Sequence, residues 1–566
     1  MKMTTRHILI GAAVAAGLLF TASCGEKVID IGPTGNYDES VAYASEKNFD
    51  LYVKSLYAIL YANADIAQGY ISDDSLTDLV KQSWYGVGGG AVNHMFYDDN
   101  YITPQADFRS KWGFYSYIRQ INEVFFDYSY GYMKGLDDGI VKSRLAEARF
   151  LRAFAYQELT LRYGGVILRV DEDHVDGPEE RVKARSSEED CWKFVIGEYD
   201  KAAQDLPETW SGADLGRITK DIATAMKARA ALYAKDWQLA FDTADEVIKS
   251  GKYALMDGST PEAYNKIFTN VRNTEVILPV FYRQSTGGAS SYQHYYNQYF
   301  CPPYDGNSYG VSVGAAATPT DEYASMFDIK VGAAWQKFSW DNLASYPDGP
   351  FANRDPRFYA SILYNGAPWR GRNLELYVGG VDGYMDFKRS GQDNDHRSTT
   401  GYIFRKFLSE DAMNYSSILS GQDWIEMRLA ELYFIRSEAA ARLYDFNTAY
   451  DDLNTIRSRV GLEDLGKRGN WDGYLEDLAK EKVCEMGLEG HRYHDIIRWG
   501  IAQKVLDGTK VHGIKITKNT DGTFNYERVE AEDGQTRHFP ERYNIFPIPY
   551  SEMQNNKACT QNDAWL

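Results

Sequence analysis

Apolar residues recur every three or four positions over long stretches of this chain, and that periodicity restricts the fold more than any other feature. The strongest run extends from Val141 to Tyr163, and Gly164 and Gly165 end it. The same spacing predicts helices over residues 190–206, 221–234, 239–249, 424–443, 448–460 and 471–488. The predicted fold class is therefore mostly α.

Two pairs of these helices resemble each other. The second helix of one pair opens with the segment from Asp236 to Asp242, and that of the other opens with the segment from Asp445 to Asp451. An Ala-rich helix precedes each, and small residues allow two helices to approach closely across a short turn. The pattern predicts a scaffold of tetratricopeptide-like hairpins, although the full consensus is absent. Two unrelated hairpins in a common bundle would give the same pattern.

The stretch from 261 to 420 loses this periodicity and is rich in Gly, Pro, Tyr, Ser and Asn. Irregular connections on a rigid scaffold are where binding residues concentrate. We therefore predict an N-terminal helical scaffold over 46–260, a loop-rich ligand-binding region over 261–420 and a C-terminal helical scaffold over 421–566. A shorter glycine-rich loop at 86–90 is not followed by Gly-Lys-Ser/Thr, which disfavours a phosphate site.

The N-terminus has the pattern of an export signal. Lys2 and Arg6 precede an apolar run of about 13 residues, too short to span a hydrocarbon core that needs about 20. Small residues then lead to Cys24, which predicts a lipoprotein signal over 1–23, acylation of Cys24, and a flexible tether over 24–45. An ordinary cleaved signal with an incidental cysteine is the alternative.

Charge and cysteine content exclude several classes of partner. Removal of the signal would take the formal net charge from −19 to −21, which disfavours nucleic acid and anionic membrane surfaces as ligands. The four remaining cysteines lie far apart without a Cys/His cluster, so neither a zinc site nor a disulfide scaffold is indicated. Aromatic residues make up 14% of the chain, including 43 Tyr, which provides ample material for stacking surfaces.

Several segments, taken in order along the chain, form a recognisable set. Together with Cys24 they are Trp112 to Asn122, Ala146 to Tyr156, Arg162 to Val166, Arg354 to Phe358, Arg428 to Ala439, Glu489 to Gly500, Phe546 to Tyr550, and Asn555 with Gln561 and Asn562. This set resembles the SusD/RagB family of outer-membrane nutrient-binding lipoproteins over nearly the whole chain. Arg149, Arg152 and Glu158 lie in or next to the segment most similar to that family and have apolar neighbours, so they are predicted to form the scaffold rather than to contact ligand.

The resemblance implies a mostly α-helical protein in which tetratricopeptide-like hairpins cradle a variable, loop-rich ligand face. It implies a lipid-anchored position at the cell surface of the outer membrane, with a SusC-like TonB-dependent transporter as partner. Members of that family pass oligosaccharides, and in some cases peptides, into the barrel of the transporter. The resemblance therefore implies a glycan-binding protein of nutrient uptake that is not an enzyme and holds no cofactor.

Candidate ligand-binding residues follow from the chemistry of sugars. A sugar ring has an apolar C–H face and a polar rim, so a binding surface needs exposed aromatic rings beside amide, carboxylate or Arg groups. The resemblance places a stacking Trp soon after an acidic pair such as Asp73 and Asp74, and further stacking rings in the tyrosine-rich stretch 292–309, which includes Tyr299 and Tyr304. The predicted ligand-binding residues are Trp84, Tyr85, Asn93, Tyr292, Tyr295, Tyr296, Asn307 and Tyr309, with Trp335, Trp340 and Trp369 as weaker candidates.

Other chemistries have weaker support in the sequence. A glycosidase needs two carboxylates across one bond, and no motif identifies such a pair. His491 and His494 follow Glu489 in the wrong order for a His-Glu-x-x-His metal site, and no Gly-x-Ser-x-Gly or Cys/His pairing supports covalent catalysis. A protein-interaction scaffold built from the hairpins remains a third class. Peptide capture is the strongest rival to glycan capture, because an acidic body suits cationic peptides.

Overall fold

The computed structural model of the 566-residue chain describes residues 39–67, 69, 71–84, 90–98, 101–106, 109–170, 182–283, 293–307, 314–389, 397–410 and 419–566. The predicted signal and Cys24 lie outside these residues. Within them the chain is largely helical, which confirms the predicted fold class. No helix in this part of the chain is both long and apolar enough to cross a membrane.

The helices are numbered in chain order. Short 3₁₀ turns lie at Asp65–Ala67, Asp73–Leu76, Trp112–Phe114, Gly212–Asp214, Trp340–Ser345, Glu541–Asn544 and Asp563–Trp565. The α-helices are α1 (Glu39–Ala42), α2 (Glu46–Leu56), α3 (Ala58–Asn63), α4 (Gly90–Tyr97), α5 (Tyr115–Tyr130), α6 (Asp138–Tyr163), α7 (Glu188–Asp205), α8 (Lys220–Tyr233), α9 (Trp237–Lys249), α10 (Pro261–Thr269), α11 (Tyr296–Phe300), α12 (Pro303–Asn307), α13 (Asp321–Met326), α14 (Pro356–Ser361), α15 (Leu429–Arg442), α16 (Phe446–Arg459), α17 (Trp471–Met486), α18 (Arg492–Arg498), α19 (Ala502–Leu506) and α20 (Tyr550–Asn555).

The described strands form only two-stranded antiparallel pairs. Most of them lie in the stretch 261–420, where the described elements are all short, as the loss of helical periodicity indicated. The pairs are β1 (Val80–Gln82) with β3 (Ala317–Pro319), β2 (Val276–Val280) with β10 (Trp424–Arg428), β4 (Ile329–Val331) with β5 (Ala334–Gln336), β6 (Ile362–Leu363) with β9 (Ile403–Phe404), β7 (Pro368–Trp369) with β8 (Arg372–Asn373), and β11 (His512–Lys518) with β12 (Phe524–Glu530).

The longest helix, α6, begins and ends where local chemistry requires it. Asp137 caps its N-terminus by accepting a hydrogen bond from the Ile140 amide at 3.0 Å. Gly164 ends it with φ +67°, a conformation that favours glycine, and a Cβ at this position would lie 2.9 Å from Ile545 Cδ1. Arg152, in the middle of the helix, is buried and paired with Glu198 of α7 at 2.6 Å. The prediction that this residue belongs to the scaffold is therefore confirmed.

Helices α6 to α9 and α15 to α17 pack in succession, with α9 against α15. The connection from α8 to α9 and that from α15 to α16 each have three residues, and each has a positive φ at its middle residue, Lys235 or Tyr444. Asp236 and Asp445 cap the second helix of each pair, accepting hydrogen bonds from the backbone amides of Leu239 and Thr448. The two similar sequence segments therefore form equivalent hairpins.

Buried ion pairs join the short elements to the helical scaffold. Arg428 donates to Glu275 at 2.7 Å, to Glu485 at 2.6 Å and to Glu489 at 2.8 Å, and all four side chains are buried. Arg357 of α14 reaches Glu485 of α17 as well, at 3.3 Å. Because an unpaired buried charge is costly, this network fixes the position of the loop-rich stretch on the hairpins.

Candidate functional site

Helices α11 and α12 carry the tyrosine-rich stretch, with only Cys301 and Pro302 between them. Backbone hydrogen bonds fix this corner: the Ala316 amide donates to the Tyr299 carbonyl at 2.9 Å, and the Ala315 amide donates to the Cys301 carbonyl at 3.1 Å. Gly314 makes the close approach possible, because its φ is +101° and a Cβ there would lie 2.7 Å from the Cys301 carbonyl oxygen. The corner is therefore a firmly held base for the rings it carries.

Three aromatic rings of this region contact one another in series, from the buried Trp84 through Tyr299 to the exposed Tyr295. Trp84 is 5% exposed, and its indole N–H donates to the Gly314 carbonyl at 3.2 Å. Its ring meets Tyr299 edge-on, with centroids 6.1 Å apart, and Tyr299 lies 5.6 Å from the ring of Tyr295. Tyr295 is 46% exposed, so this series of rings ends in a ring that is accessible to a ligand.

A second exposed ring, Tyr304, lies on α12. It is 45% exposed, and the guanidinium of Arg372 lies over it, with Cζ 4.8 Å from the ring centroid. Arg372 is itself held by two hydrogen bonds to the buried carboxylate of Asp382, at 2.6 and 2.7 Å, and by one to Asp305 at 2.9 Å. We refer to Tyr295, Tyr299, Tyr304 and Arg372 as the candidate surface.

Asp305 joins the candidate surface to the β7–β8 hairpin. Its carboxylate accepts a hydrogen bond from the indole N–H of Trp369 at 3.0 Å, and Arg370 lies 3.4 Å from it. Trp369, a weaker ligand candidate from the sequence, is almost fully buried and serves this contact. The arrangement places a planar guanidinium and carboxylate oxygens beside the ring of Tyr304, and this combination of groups can cover the face and the rim of a sugar.

Two of the predicted ligand-binding residues, Trp84 and Asn93, are buried. Their burial differs from the expectation of an exposed stacking ring with an amide nearby. Asn93 accepts a hydrogen bond from Lys81 Nζ at 3.0 Å and donates to the Gln82 carbonyl at 3.2 Å, and Trp84 is drawn inward by its bond to Gly314. A ligand-binding role for either residue stays a prediction that needs a conformational change.

Of the remaining candidates, Tyr295 presents an exposed ring and Tyr296 does not. The hydroxyl of Tyr296 donates to the Lys406 carbonyl at 3.1 Å, and its ring packs on Phe300 with centroids 4.6 Å apart. The Asn307 backbone ends α12, but its side chain lies outside the described residues, as do Tyr85, Tyr292 and Tyr309. The ligand-binding roles of these residues stay predictions.

Sequence reasoning missed Arg372 and did not choose Tyr304. Tyr304 lies in the predicted stretch, and its exposure depends on the turn at Cys301 and Pro302, which periodicity does not encode. Arg372 carries no local signal, because its partners Asp305 and Asp382 lie in other segments of the chain. Only the folded contacts bring these residues together.

The other weak candidates and the histidines have structural partners. The indole N–H groups of Trp335 and Trp340 donate to the Gly461 carbonyl and to Asp321, respectively, each at 3.0 Å. Burial lowers the pKa of His491 to about 4. Among the described residues, no group of three or more His, Cys, Asp or Glu is arranged to hold a metal ion.

The thiols are buried as well. Cys191, Cys301, Cys484 and Cys559 are free and buried, and burial raises the pKa of both Cys191 and Cys559 to about 11. The pKa of the Cys301 thiol, next to the candidate surface, is also raised by burial. A neutral buried thiol is a poor nucleophile.

The fold and the candidate surface together define a class: a tetratricopeptide-like helical protein that displays aromatic rings on short, irregular elements. Comparison with known proteins gives the family. The model of the SusD family matches residues 274–565, just over half of the chain, so this protein belongs to the SusD family.

Individual relatives agree with that assignment over most of the chain. A SusD-like protein of Bacteroides ovatus is 22% identical, and the match covers 94% of this chain and 91% of that protein. The structure is similar to that of a SusD-like protein from Bacteroides fragilis, with a TM-score of 0.74 and 26% identity over 93% of this chain and 98% of the other. It is also similar to a SusD-like carbohydrate-binding protein from the same species, with a TM-score of 0.73 and 22% identity over 91% and 99% of the two chains.

Proposed function

We propose that this protein captures oligosaccharides or polysaccharides at the cell surface and delivers them to a SusC-like TonB-dependent outer-membrane transporter. Acyl chains on Cys24 would hold it on the outer membrane. The observation that carries the proposal is the presence of two half-exposed rings on this region, Tyr295 packed on Tyr299 and Tyr304 beside the guanidinium of Arg372.

The chemistry of these side chains suits a sugar. The ring of Tyr295 is supported from below by Tyr299, and Tyr304 is supported by Arg372, so both rings can cover the C–H face of a sugar without first being ordered. Arg372, whose side chain is partly exposed, offers N–H donors to hydroxyl groups at the rim. Membership of the SusD family and the likeness to a SusD-like carbohydrate-binding protein support the same class of ligand.

Delivery, anchoring and location rest on the sequence pattern and on the family. The apolar run and small residues before Cys24 support a lipid anchor, and the SusD family resemblance supports a transporter partner. An acylated protein of this size needs no spanning helix to remain at a membrane. In this proposal the helical hairpins hold the candidate surface over the transporter.

We infer binding without catalysis. Asp305 and Asp382 are both bonded to Arg372, which engages the two carboxylates in structural contacts rather than leaving them to act as general acid and base. The buried thiols lack nucleophilic character, as described above. A ligand held on this surface would therefore leave unaltered.

Peptide capture is the alternative that shares this site. Tyrosine rings also pack on peptide side chains, and the acidic net charge of −19 suits cationic peptides. The charge at the site does not separate the two ligand classes, because the guanidinium of Arg372 is paired with the carboxylates of Asp305 and Asp382. Glycans are placed first because of the likeness to a SusD-like carbohydrate-binding protein.

Affinity electrophoresis against a panel of soluble polysaccharides, followed by calorimetry with the best ligand and with peptide mixtures, tests the proposal. One stacked ring contributes about 0.5 to 1.5 kcal/mol, so Tyr295→Ala and Tyr304→Ala should each weaken glycan binding about 2- to 12-fold. Tyr128→Ala, at an exposed tyrosine on α5, is the matched control and should leave the affinity unchanged.

The outcomes separate the two ligand classes. Binding of a glycan by the parent chain, with loss in both tyrosine variants alone, supports the proposal. Binding of peptides with no glycan retained would replace it with peptide capture. Glycan binding that survives both substitutions would move the site away from the candidate surface.

A further inference from the structure

A second group of exposed aromatic rings lies at the C-terminal end of α5, separate from the candidate surface. Tyr128, Tyr130 and Tyr132 are 53%, 64% and 49% exposed. The rings of Phe126 and Tyr130 lie 4.4 Å apart, and those of Tyr130 and Tyr132 are stacked with centroids 6.3 Å apart. We refer to Tyr128, Tyr130 and Tyr132 as the tyrosine patch. Exposed rings that stack on each other, as Tyr130 and Tyr132 do, are typical of an interaction surface.

The backbone beneath the patch is fixed, so the rings are held outward. Gly131 ends α5 with φ +82°, and its amide donates to the Tyr128 carbonyl at 3.0 Å. The Tyr132 amide donates to the Asp127 carbonyl at 3.1 Å. Phe125 and Met133, on either side of the exposed tyrosines, are buried in the core. The end of α5 therefore holds the backbone of the tyrosine patch in a fixed position.

The patch lies where the chain enters the folded body. Tyr43 follows α1, the first described helix, and its hydroxyl donates to Asp127 at 2.7 Å. Asp127 is flanked directly by Phe126 and Tyr128. Fourteen residues, 25–38, lie between Cys24, the predicted anchor, and Glu39 at the start of α1, and the 15 steps from Cys24 to Glu39 span at most about 50 Å. An anchored chain therefore keeps the start of α1 within about 50 Å of the anchor, and the Tyr43–Asp127 contact ties the patch to that end of the chain.

We propose that the tyrosine patch rests on the surface of the lipid bilayer, with its rings at the level of the headgroups, and so sets the orientation of the body on the membrane. This inference rests on the proposed acylation of Cys24. Tyrosine is enriched at membrane interfaces because its ring is apolar and its hydroxyl is polar. The surrounding charges, Lys134 with Asp137 and Asp138, are of mixed sign, so contact depends on apolar insertion and not on anionic lipid.

Fluorescence quenching from within the bilayer tests this orientation. The natively lipidated chain is reconstituted in phosphatidylcholine vesicles that contain spin-labelled phosphatidylcholine, and a bimane is attached to Ser129→Cys. Asp472→Cys, on the exposed first turn of α17, carries the same probe as the reference site. The four cysteines at 191, 301, 484 and 559 are buried, and Cys24 is acylated, so labelling is specific.

The probe at residue 129 should be quenched at least twofold and the probe at 472 should not, in low and in high salt alike. The triple variant Tyr128→Ser/Tyr130→Ser/Tyr132→Ser should lose that quenching and still float with the vesicles. Tyr444→Ser, at an exposed tyrosine in the α15–α16 turn, should keep it.

Flotation separates the two ways of failing. A parent chain that does not float overturns the lipid anchor and this inference with it. A parent chain that floats while the probe at 129 stays unquenched overturns the patch alone. A change in the fluorescence of that probe that occurs only after purified transporter is added would assign the patch to a protein partner. That result would also overturn the proposal.

Discussion

The guanidinium of Arg372 lies over the half-exposed ring of Tyr304, with its Cζ 4.8 Å from the ring centroid. The same guanidinium is bonded to the buried carboxylate of Asp382 at 2.6 and 2.7 Å. An exposed ring is thus held by a cation whose own position is fixed from the interior. The geometry of the candidate surface therefore depends on Asp382, a buried residue that a ligand need not touch.

Replacement of Arg372 by Lys should weaken glycan binding about two- to fivefold. Lysine keeps the charge opposite Asp382 but lacks the planar fork that bonds two carboxylates and stacks on the ring, and a cation–π contact contributes about 0.5 to 1 kcal/mol at exposed sites. Calorimetry measures the affinity, and the melting temperature reports on the fold. Arg468→Lys, at an exposed ion pair with Glu476, is the control and should change neither quantity.

The role of the Tyr304 ring can be separated from that of its hydroxyl. Tyr304→Phe keeps the ring under Arg372 and should retain the parent affinity within about twofold, whereas Tyr304→Ala should not. If Arg372→Lys and Tyr304→Ala act through the same contact, their effects in the double variant should be less than additive. Additive losses of glycan affinity would mean that Arg372 contacts the ligand independently of Tyr304.

The helical scaffold was largely predictable because its signals are local. The run from Val141 to Tyr163 and the glycines after it give α6 within three residues of its observed start at Asp138. The paired Asp236 and Asp445 segments give two hairpins because each carries its own cap. Apolar periodicity, helix caps and helix-ending glycines are signals in the same segment of sequence as the helix that they determine. They can therefore be recognised from the sequence alone.

The candidate surface was predictable only as a region. Trp84 lies just before a glycine-rich segment, which predicts an exposed ring. The carbonyl of Gly314, far along the chain, accepts the hydrogen bond that holds the indole in the interior. Tyr295 and Tyr296 are adjacent in the sequence, yet only Tyr295 faces solvent, because Lys406 accepts the hydrogen bond of Tyr296. Such choices are made by long-range contacts, which no local pattern records.

Removal of the Arg428 guanidinium should destabilise the whole fold. Arg428→Met leaves Glu275, Glu485 and Glu489 without their shared buried cation, and breaking a buried pair in this way costs about 3 to 5 kcal/mol. Thermal unfolding followed by circular dichroism should show a clear fall in melting temperature. Arg468→Met, which removes an exposed pair, should cost less than about 1 kcal/mol. Equal shifts in both variants would show that the network contributes little.

Stability should depend on pH through Asp74. This carboxyl is buried, with one oxygen bonded to the Gly490 amide at 3.0 Å and the other without a partner among the described residues. Burial raises the pKa of Asp74 to about 7. The folded chain therefore keeps a proton that the unfolded chain releases near pH 4, so this group lowers the stability as the pH rises from about 4 to 7.

The Asp74→Asn variant removes that titration. Its melting temperature relative to the parent should rise between pH 5 and pH 8, and the free energy gained at pH 8 should be on the order of a few kcal/mol. Asp472→Asn, at an exposed position, should shift the melting temperature little at either pH. A difference between Asp74→Asn and the parent that is the same at both pH values would show that Asp74 is ionised in the folded chain.

Gly314 should be required for the shape of the candidate surface more than for the stability of the scaffold. Gly314→Ala combines a φ of +101° with a Cβ 2.7 Å from the Cys301 carbonyl oxygen, so the backbone that carries Tyr299 and Tyr304 must shift. We expect at least a fivefold loss of glycan affinity. Gly349→Ala is the matched control, because its φ of +84° imposes the same kind of strain while its Cβ would meet no atom within 4 Å. A similar loss of affinity in both variants would trace the effect to general destabilisation, whereas a loss confined to Gly314→Ala would tie ligand binding to the corner between α11 and α12.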